Sequence, residues 1–240
     1  MIVGQCITDC SDLVPWDETE IKQPFCLMAV DLVSFDVMAA QAVLTPLEQE
    51  QYGGYRFPKR QNEWLGGRLA CKTAVAQLLG LTGLTLVEVA NDDHGRPFVA
   101  GHGVDGVEVS ISHSGDVAMA LASFSPCGLD IQEITPVLAK VEEKFVHPEE
   151  RAILPVFAIS ELEQFGLVWA VKESLRKQLC LWPLLGFLEA RIEAISKVDG
   201  GFMVQCTACR DTRVVTVPLV HVALYGSYGL ALCFEPDLKE

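Results

Sequence analysis

The chain is short of positive charge and of long apolar runs. It has 18 Lys and Arg against 32 Asp and Glu, which gives a formal net charge of -14 at pH 7. A general nucleic-acid-binding protein needs a broad basic surface, so this charge balance excludes that class. No apolar run reaches the roughly 18 residues that cross a bilayer, and we expect no membrane segment. The first residues lack a basic region and contain Asp9, which predicts no secretory signal and a cytoplasmic protein.

The cysteines lack a recognisable pattern. There are nine of them, an odd number scattered over 240 residues, which indicates reduced thiols rather than a disulfide framework. Cys206 and Cys209 form a CxxC, but no second CxxC accompanies it, so core or surface thiols are expected there. A thiol-based metal-binding module is the alternative, and these two residues are its whole support.

Apolar residues are plentiful and periodic. Half of the chain is hydrophobic and 21% is charged, so a substantial core can be buried. The periodicity predicts an α+β protein in which strands and helices are mixed. Strands are expected near residues 26–34, 84–90, 107–112, 117–123, 128–134, 191–196, 202–208, 213–221 and 229–234, and helices near 45–52, 58–80, 137–144, 148–154 and 161–181.

A faint internal repeat divides the chain. Residues 29–32 resemble residues 128–131, and residues 70–75 resemble residues 170–175 at a nearly equal offset. Two such matches favour a duplication, so we expect two similar halves, 1–124 and 125–240. A cleft between related halves is a common ligand site.

One stretch with helical periodicity carries an unusual set of side chains. Trp169, Glu173 and Lys177 are four residues apart and therefore share one face of a helix. In a strand about forty residues earlier, Asp130 and Gln132 share the face opposite to the apolar residues. A carboxylate in an apolar strand needs a cation, which would be either a metal ion or a Lys or Arg partner. Two carboxylates and a lysine suit a hard divalent cation and a polyphosphate.

The few basic residues are concentrated in two segments. They are Arg56, Lys59, Arg60, Arg68 and Lys72 in the first segment and Lys172, Arg176 and Lys177 in the second. Two cationic patches in an acidic chain fit a compact polyanion such as a nucleotide cofactor. The alternative is that these long side chains only solvate two helix faces.

Four motifs, in order, resemble those of the 4'-phosphopantetheinyl transferases. They are Gly95-Arg96-Pro97, Ser110-Ile111-Ser112-His113-Ser114-Gly115, Gly128-Leu129-Asp130, and Trp169 with Lys172-Glu173-Ser174 and Lys177. The similarity spans residues 56–182, and the chain length resembles the larger, pseudo-dimeric, surfactin-synthetase-activating type. The resemblance implies two α/β halves in tandem, related by a pseudo-twofold axis, with coenzyme A bound in the cleft between them.

The resemblance also implies a reaction. The 4'-phosphopantetheine arm of coenzyme A would be transferred to a serine of an apo acyl or peptidyl carrier protein, with Mg²⁺ as cofactor and 3',5'-ADP as product. Glu173, Lys177 or a metal-bound water could take the serine proton, and the sequence does not rank them. We expect a monomer. A non-catalytic relative that binds coenzyme A or a carrier protein is the main alternative, and a Mg²⁺-dependent nucleotide hydrolase is a weaker one.

Roles for individual residues follow from the same resemblance. Asp130 and Glu173 would hold Mg²⁺, together with Gln132, where many relatives have a third carboxylate. Residues expected to contact coenzyme A are Arg60, Arg68, Arg96, Ser112, His113 and Lys177, and the expected catalytic residues are Glu173, Lys177 and His113. A serine hydrolase is excluded, because adjacent residues cannot fold onto one another as a triad and no GxSxG is present. The apolar run 179–188 is a candidate surface for the carrier protein, with core as the alternative.

Overall fold

A computed structural model describes residues 6–13, 24–181, 183–210, 213–215 and 219–235. The strands are β1 (Ile7–Asp9), β2 (Phe25–Asp31), β3 (Glu88–Asn91), β4 (Pro97–Ala100), β5 (Glu108–Ser114), β6 (Val117–Ser123), β7 (Cys127–Glu133), β8 (Ala190–Val198), β9 (Gly201–Arg210), β10 (Arg213–Val215), β11 (Val220–Tyr225) and β12 (Tyr228–Phe234). The helices are α1 (Val37–Ala42), α2 (Pro46–Gly54), α3 (Pro58–Leu79), α4 (Val137–Val141) and α5 (Glu161–Leu179). The predicted mixture of helices and strands is confirmed.

The described chain divides into two compact units. The first contains residues 6–11 and 24–126, and the second contains residues 12–13 and 127–235. The assignment of cofactor contacts to one half and of the metal site to the other stays a prediction, as do the pseudo-twofold axis and the cleft. None of the helices in the described ranges is long and apolar enough to cross a membrane.

The first unit is an antiparallel sheet in the order β1-β2-β6-β5, with α3 packed against its three longer strands. Pro58 begins α3, where a missing N–H costs nothing, and Gly80 ends it with a φ of 66° that favours glycine. Strands β3 and β4 form a separate hairpin. The helix buries an apolar face on the sheet, which fixes the polar side chains on its flanks.

The second unit repeats this plan with a larger sheet. Its strand order is β10-β9-β11-β12-β7, β8 pairs with β9, and α5 packs on β7 and β12. Close approach is possible because glycines face the helix. A Cβ at Gly128 would lie 1.9 Å from the Ser174 carbonyl oxygen, and one at Gly229 would lie 2.8 Å from the Gly166 carbonyl. Any side chain at these positions would push α5 off the sheet.

A buried ion pair fixes α3 in the first unit. The Lys72 ammonium lies 2.7 Å from Glu48, and both side chains are fully buried. Glu48 also accepts hydrogen bonds from the backbone N–H of Val89 at 2.9 Å and from that of Thr45 at 2.8 Å. The carboxylate therefore ties α3 to the start of α2 and to β3.

The second unit contains the same arrangement. Lys172 of α5 lies 2.8 Å from Glu150, which belongs to the 3-10 helix Pro148–Ala152, and both side chains are buried. Glu150 accepts from the backbone N–H of Ile192 at 2.7 Å and of His147 at 2.6 Å. The repetition of helix, lysine, carboxylate and backbone partners supports an internal duplication.

The structure aligns strand β2 with strand β7 in a different register from the one that the sequence repeat predicted. A Cβ at Gly66 of α3 would lie 2.2 Å from Leu32 just after β2, and one at Gly166 of α5 would lie 2.6 Å from Ile134 just after β7. These equivalent contacts pair residue 32 with residue 134, whereas the sequence match paired it with residue 131. Short apolar strands resemble each other in several registers, so the sequence match was displaced.

Candidate functional site

Helix α5 brings its polar face to the edge of β7. Ser160 begins the helix with a capping box, in which its hydroxyl accepts from the Glu163 N–H at 3.3 Å and its own N–H donates to the Glu163 carboxylate at 2.8 Å. The last turn carries basic side chains, which suits the negative end of the helix dipole. Because Gly128 allows direct contact between helix and strand, Asp130 lies beside this last turn.

Asp130 is bonded to a lysine. The Lys177 ammonium donates to Asp130 Oδ1 and to the Leu129 carbonyl oxygen, both at 2.8 Å. Asp130 is buried, with 5% of its surface exposed, whereas the Lys177 side chain is partly exposed. The structure thus provides the cation that a carboxylate in this strand requires.

Glu173 lies close to the same group of charges. It forms an ion pair with Arg176, one helical turn later. Burial raises the pKa of Glu173, Arg176 and Lys177 act to lower it, and the Asp130 carboxylate raises it further. Glu173 lies one helical turn before Lys177, which is bonded to Asp130, so two carboxylates from different elements lie near one cation.

Gln132 follows Asp130 by two residues on β7 and therefore shares its face. Its amide Nε2 donates to the Glu133 carbonyl oxygen at 2.9 Å. Two carboxylates and an amide supply hard oxygen donors, and this set fits Mg²⁺ or Mn²⁺ better than a softer metal. Within the described ranges no group of three or more His, Cys, Asp or Glu residues is placed to hold a metal.

A cationic cavity of about 440 Å³ lies within the first unit. Its lining comes from α2 and the residue after it, from α3, from the β3–β4 hairpin and from β5. It comprises Gln51, Tyr55, Arg60, Glu63, Trp64, Gly67, Arg68, Asn91, Gly95, Pro97, Ile111 and His113. Three residues predicted to contact the cofactor, Arg60, Arg68 and His113, therefore line one cavity. Arg60 and Arg68 come from the same helix, and the fold brings His113 of β5 to them.

Arg68 is a buried cation without an acidic partner among the described residues. Its exposed fraction is 5%, Nη2 donates to the Asn91 side-chain oxygen at 2.6 Å, and the guanidinium lies 4.7 Å from the centre of the Trp64 ring. In the part of the chain that is described, Nε has no hydrogen-bond partner and the guanidinium has no carboxylate within ion-pair distance. Burial lowers the pKa of Arg68. A buried charge of this kind is costly, so the cavity favours an anion.

His113 is held between two charged residues of α3. Arg60 Nη1 donates to His113 Nε2 at 2.9 Å, and Glu63 Oε2 lies 3.8 Å from His113 Nδ1. A guanidinium can only donate, so His113 Nε2 is the acceptor in this contact. Arg60 also lies 3.5 Å from Glu63.

Arg96 and Ser112 lie elsewhere. The Arg96 guanidinium is paired with Glu108, and its backbone N–H donates to Asp92 at 2.9 Å. Ser112 is buried in β5, where strand alternation turns it away from the face that carries His113. Neither residue lines the cavity. Their predicted contacts with a cofactor stay predictions.

Several residues that line the cavity were not predicted from the sequence. Trp64 was not singled out, although its spacing from Arg68 by four helical residues is the signal for a stacked cation. Asn91 offered no such signal, because the strand that carries it meets α3 only in the fold. Glu63 lies four residues after Lys59, which is the spacing of an ordinary surface ion pair, so its sequence position did not indicate a cavity residue.

The alternative thiol site is not assembled. Cys206 and Cys209 are three residues apart on β9 and therefore face opposite sides of the sheet, one buried and one exposed. No disulfide joins any of the nine cysteines, all of which lie within the described ranges. The apolar run 179–188, a candidate carrier-protein surface, is partly buried and partly exposed. Leu185 is buried and Leu184 and Leu188 are exposed, whereas Trp182 lies outside the described residues.

Comparison with known proteins gives consistent family matches along most of the chain. Residues 55–123 match the model of the 4'-phosphopantetheinyl transferase N-terminal domain. Residues 126–233 match that of the 4'-phosphopantetheinyl transferase superfamily. The two matches meet near the junction between the two compact units.

Individual relatives cover smaller parts. The holo-[acyl-carrier-protein] synthase of Geobacillus kaustophilus is 43% identical over 88 residues, which are 33% of this chain and 66% of that protein. That of Lactococcus lactis subsp. lactis is 38% identical over 86 residues, 33% of this chain and 72% of the relative. The 4'-phosphopantetheinyl transferase gsp of Aneurinibacillus migulanus is 28% identical over 133 residues, 55% of this chain and 54% of the relative.

Among solved structures, a holo-(acyl-carrier-protein) synthase from Bacillus anthracis in complex with CoA (3',5'-ADP) is 27% identical and has a TM-score of 0.38. The match covers 41% of this chain and 92% of that synthase. The chain thus spans about two thirds or less of the length of the first curated relative and of the gsp protein.

Proposed function

The chain belongs to the 4'-phosphopantetheinyl transferase superfamily, and from this premise we propose that it transfers the 4'-phosphopantetheine arm of coenzyme A to a serine of an apo acyl or peptidyl carrier protein and releases 3',5'-ADP. The observation that carries the proposal is the convergence of Asp130, Glu173 and Lys177 where β7 meets α5. Family members share a reaction that needs acidic metal ligands and a cation at a pyrophosphate, and these residues supply both.

Asp130 and Glu173 are the proposed metal ligands, with the Gln132 amide oxygen as a neutral third donor. Their hard oxygen atoms on adjoining elements support this choice. A bound Mg²⁺ would supply neutralisation of the charge that develops on the leaving pyrophosphate oxygens. The change from carboxylate to amide at residue 132 removes one negative charge, which weakens the site for a cation without removing a ligand atom.

The residues themselves perform the proton and charge steps. Lys177 places an ammonium beside both carboxylates, where it can stabilise an oxygen of the reacting phosphate. Glu173 is the proposed acceptor of the serine proton, because it is a carboxylate one helical turn from Lys177, the proposed phosphate contact. Lys177 is less suited to that step, since its ammonium is charged and bonded to Asp130.

The cavity of the first unit is the proposed site for a phosphate of coenzyme A. Arg68 is buried there without an acidic partner among the described residues, and Arg60 adds a second guanidinium beside His113 at the same cavity. A phosphate would supply the missing anion and accept hydrogen bonds from the guanidinium groups. Arg96 would join this site only after leaving Glu108.

Replacing Arg68 with Met should weaken binding of coenzyme A about ten- to a hundredfold, the loss expected for hydrogen bonds to a charged group. Thermal stability should stay the same or rise, because a buried charge without a carboxylate partner is replaced by an apolar side chain of similar volume. Calorimetric titration and a thermal melt check both results. Arg151→Met is the control, since it removes an equal charge from a partly exposed pair with Glu142. Unchanged affinity would remove Arg68 from the cofactor site.

We also propose that the protein is a cytoplasmic monomer. The thiol form of all nine cysteines supports a reducing compartment. Two compact units in one chain support a monomer, because the second copy of the repeat is provided by the same polypeptide. Sedimentation velocity would test the oligomeric state directly.

The transferase activity is tested by intact-protein mass spectrometry of an apo carrier protein incubated with this protein, coenzyme A and Mg²⁺. We expect a mass gain of about 340 Da, that of one phosphopantetheine arm, and its loss when EDTA is added. Release of phosphopantetheine without a modified carrier would indicate a hydrolase. Binding of coenzyme A with no gain on several acyl and peptidyl carriers would favour the non-catalytic relative.

A further inference from the structure

Each proposed metal ligand is paired with a different cation from the last turns of α5. Asp130 is bonded to Lys177, and Glu173 is paired with Arg176. The Lys177 contact involves a residue that the sequence motifs include. Arg176 belongs to none of them, so the Glu173 pair needs an explanation of its own.

Arg176 is held in place from two sides. Its guanidinium lies 4.7 Å from the centre of the Phe187 ring, in the 3-10 helix Phe187–Glu189 that follows α5. Its side chain is 18% exposed and that of Glu173 is 21% exposed, so solvent screens the pair only partly. Glu173 is the one carboxylate within ion-pair distance of Arg176 in the described ranges. Arg176 Nε is buried there without a hydrogen-bond partner.

The two ion pairs differ because the cation is a lysine in one and an arginine in the other. Lysine is a flexible point charge that can move to a nearby phosphate and remain hydrated. Arginine keeps its charge at every physiological pH, and stacking on Phe187 limits its movement. A divalent cation that approaches Glu173 therefore meets a fixed positive charge, and it must displace Arg176 or share the carboxylate with it.

We propose that Arg176 is a counterion that competes with the divalent metal for Glu173 and so sets the metal affinity of the site. In the metal-free protein the same pair keeps the half-buried Glu173 carboxylate compensated and in position. This inference rests on the proposed metal site at Asp130 and Glu173. It assigns to Arg176 a role in metal affinity that is separate from catalysis.

Direct binding of Mn²⁺, followed by electron paramagnetic resonance of the free ion, tests the proposal without any turnover. Arg176→Met should bind Mn²⁺ about tenfold more tightly than the unchanged protein, an effect typical of a charged neighbour in contact. Arg176→Lys should fall between the two, because it keeps the charge but loses the stacked, planar group. Arg151→Met is the matched control, since it breaks an Arg–Glu pair of the same unit and should leave Mn²⁺ binding unchanged.

The outcomes separate this inference from the proposed function. If Mn²⁺ binds the unchanged protein and Asp130→Asn does not weaken it, the metal site itself is misplaced and the inference falls with it. If Asp130→Asn weakens binding but Arg176→Met binds equally or less tightly, the site stands and the inference is overturned. Arg176→Gln serves as a second variant if the methionine protein does not fold, which circular dichroism would show.

Discussion

A Glu173→Gln protein is expected to lose at least about a thousandfold of its Mg²⁺-dependent transfer rate, because one substitution removes a charged metal ligand and the proposed proton acceptor. The amide keeps the size of the side chain and an oxygen that can still accept from Arg176. The fold should persist, since Glu173 lies at the edge of the core rather than within it. Binding of coenzyme A should also persist where it depends on the cavity of the first unit.

Initial rates from the mass-spectrometric assay, measured over a range of Mg²⁺ concentrations, provide the comparison. Glu161→Gln is the control, because it makes the same chemical change at an exposed position in the first turn of the same helix. Its rate should match that of the unchanged protein. A Glu173→Gln protein with an unaltered rate and Mg²⁺ response would remove both roles from Glu173.

The two long helices could be predicted almost to the residue. Pro58 and Gly80 delimit α3, and the predicted span 58–80 differs from the observed helix by one residue. Periodicity over five or six turns accumulates enough signal to outweigh local exceptions. Short elements were predicted less accurately. Residues 84–86 form a 3-10 turn rather than the start of a strand, and the predicted helix at 148–154 is also 3-10. The hairpin partner β4 was missed entirely.

The partners of the buried charged side chains could not be predicted from the sequence. Lys172 precedes Glu173, and from sequence it could equally reach a phosphate or pack internally. The structure buries it against Glu150, which is 22 residues away and lies in a 3-10 turn. A signal existed in the shared pattern of a proline two residues before the glutamate, at Glu48 and again at Glu150. That pattern identifies the two glutamates as equivalent partners only once Lys72 and Lys172 are known to occupy equivalent positions.

The same comparison explains why one unit carries the acidic site. When the buried lysines are aligned, Glu173 corresponds to Thr73 and Lys177 corresponds to Gln77. The structural register of the strands places Met28 at the position of Asp130. The first unit therefore keeps the framework without these charged groups, and the cavity proposed to bind a phosphate is lined in part by its helix α3.

Replacing Lys172 with Met should destabilise the second unit by about 3–5 kcal/mol, because it leaves the Glu150 carboxylate buried without its cation. The double variant Lys172→Met with Glu150→Gln should recover most of this loss. It removes both charges while the amide oxygen can still accept from one of the backbone N–H groups. Urea denaturation followed by tryptophan fluorescence and circular dichroism gives the free energies.

Lys72→Met is the matched experiment in the first unit, since Glu48 has the same burial and the same kinds of partner. Two compact units need not unfold together, so each substitution should shift mainly the transition of its own unit. Equal losses would mean that the ion pair is a property of the repeated framework. A loss confined to Lys172 would mean that the pair contributes to stability only where it supports the helix that carries Glu173. Such an outcome would contradict the equivalence argued from geometry, because two matched lysine–glutamate pairs would then have unequal energies.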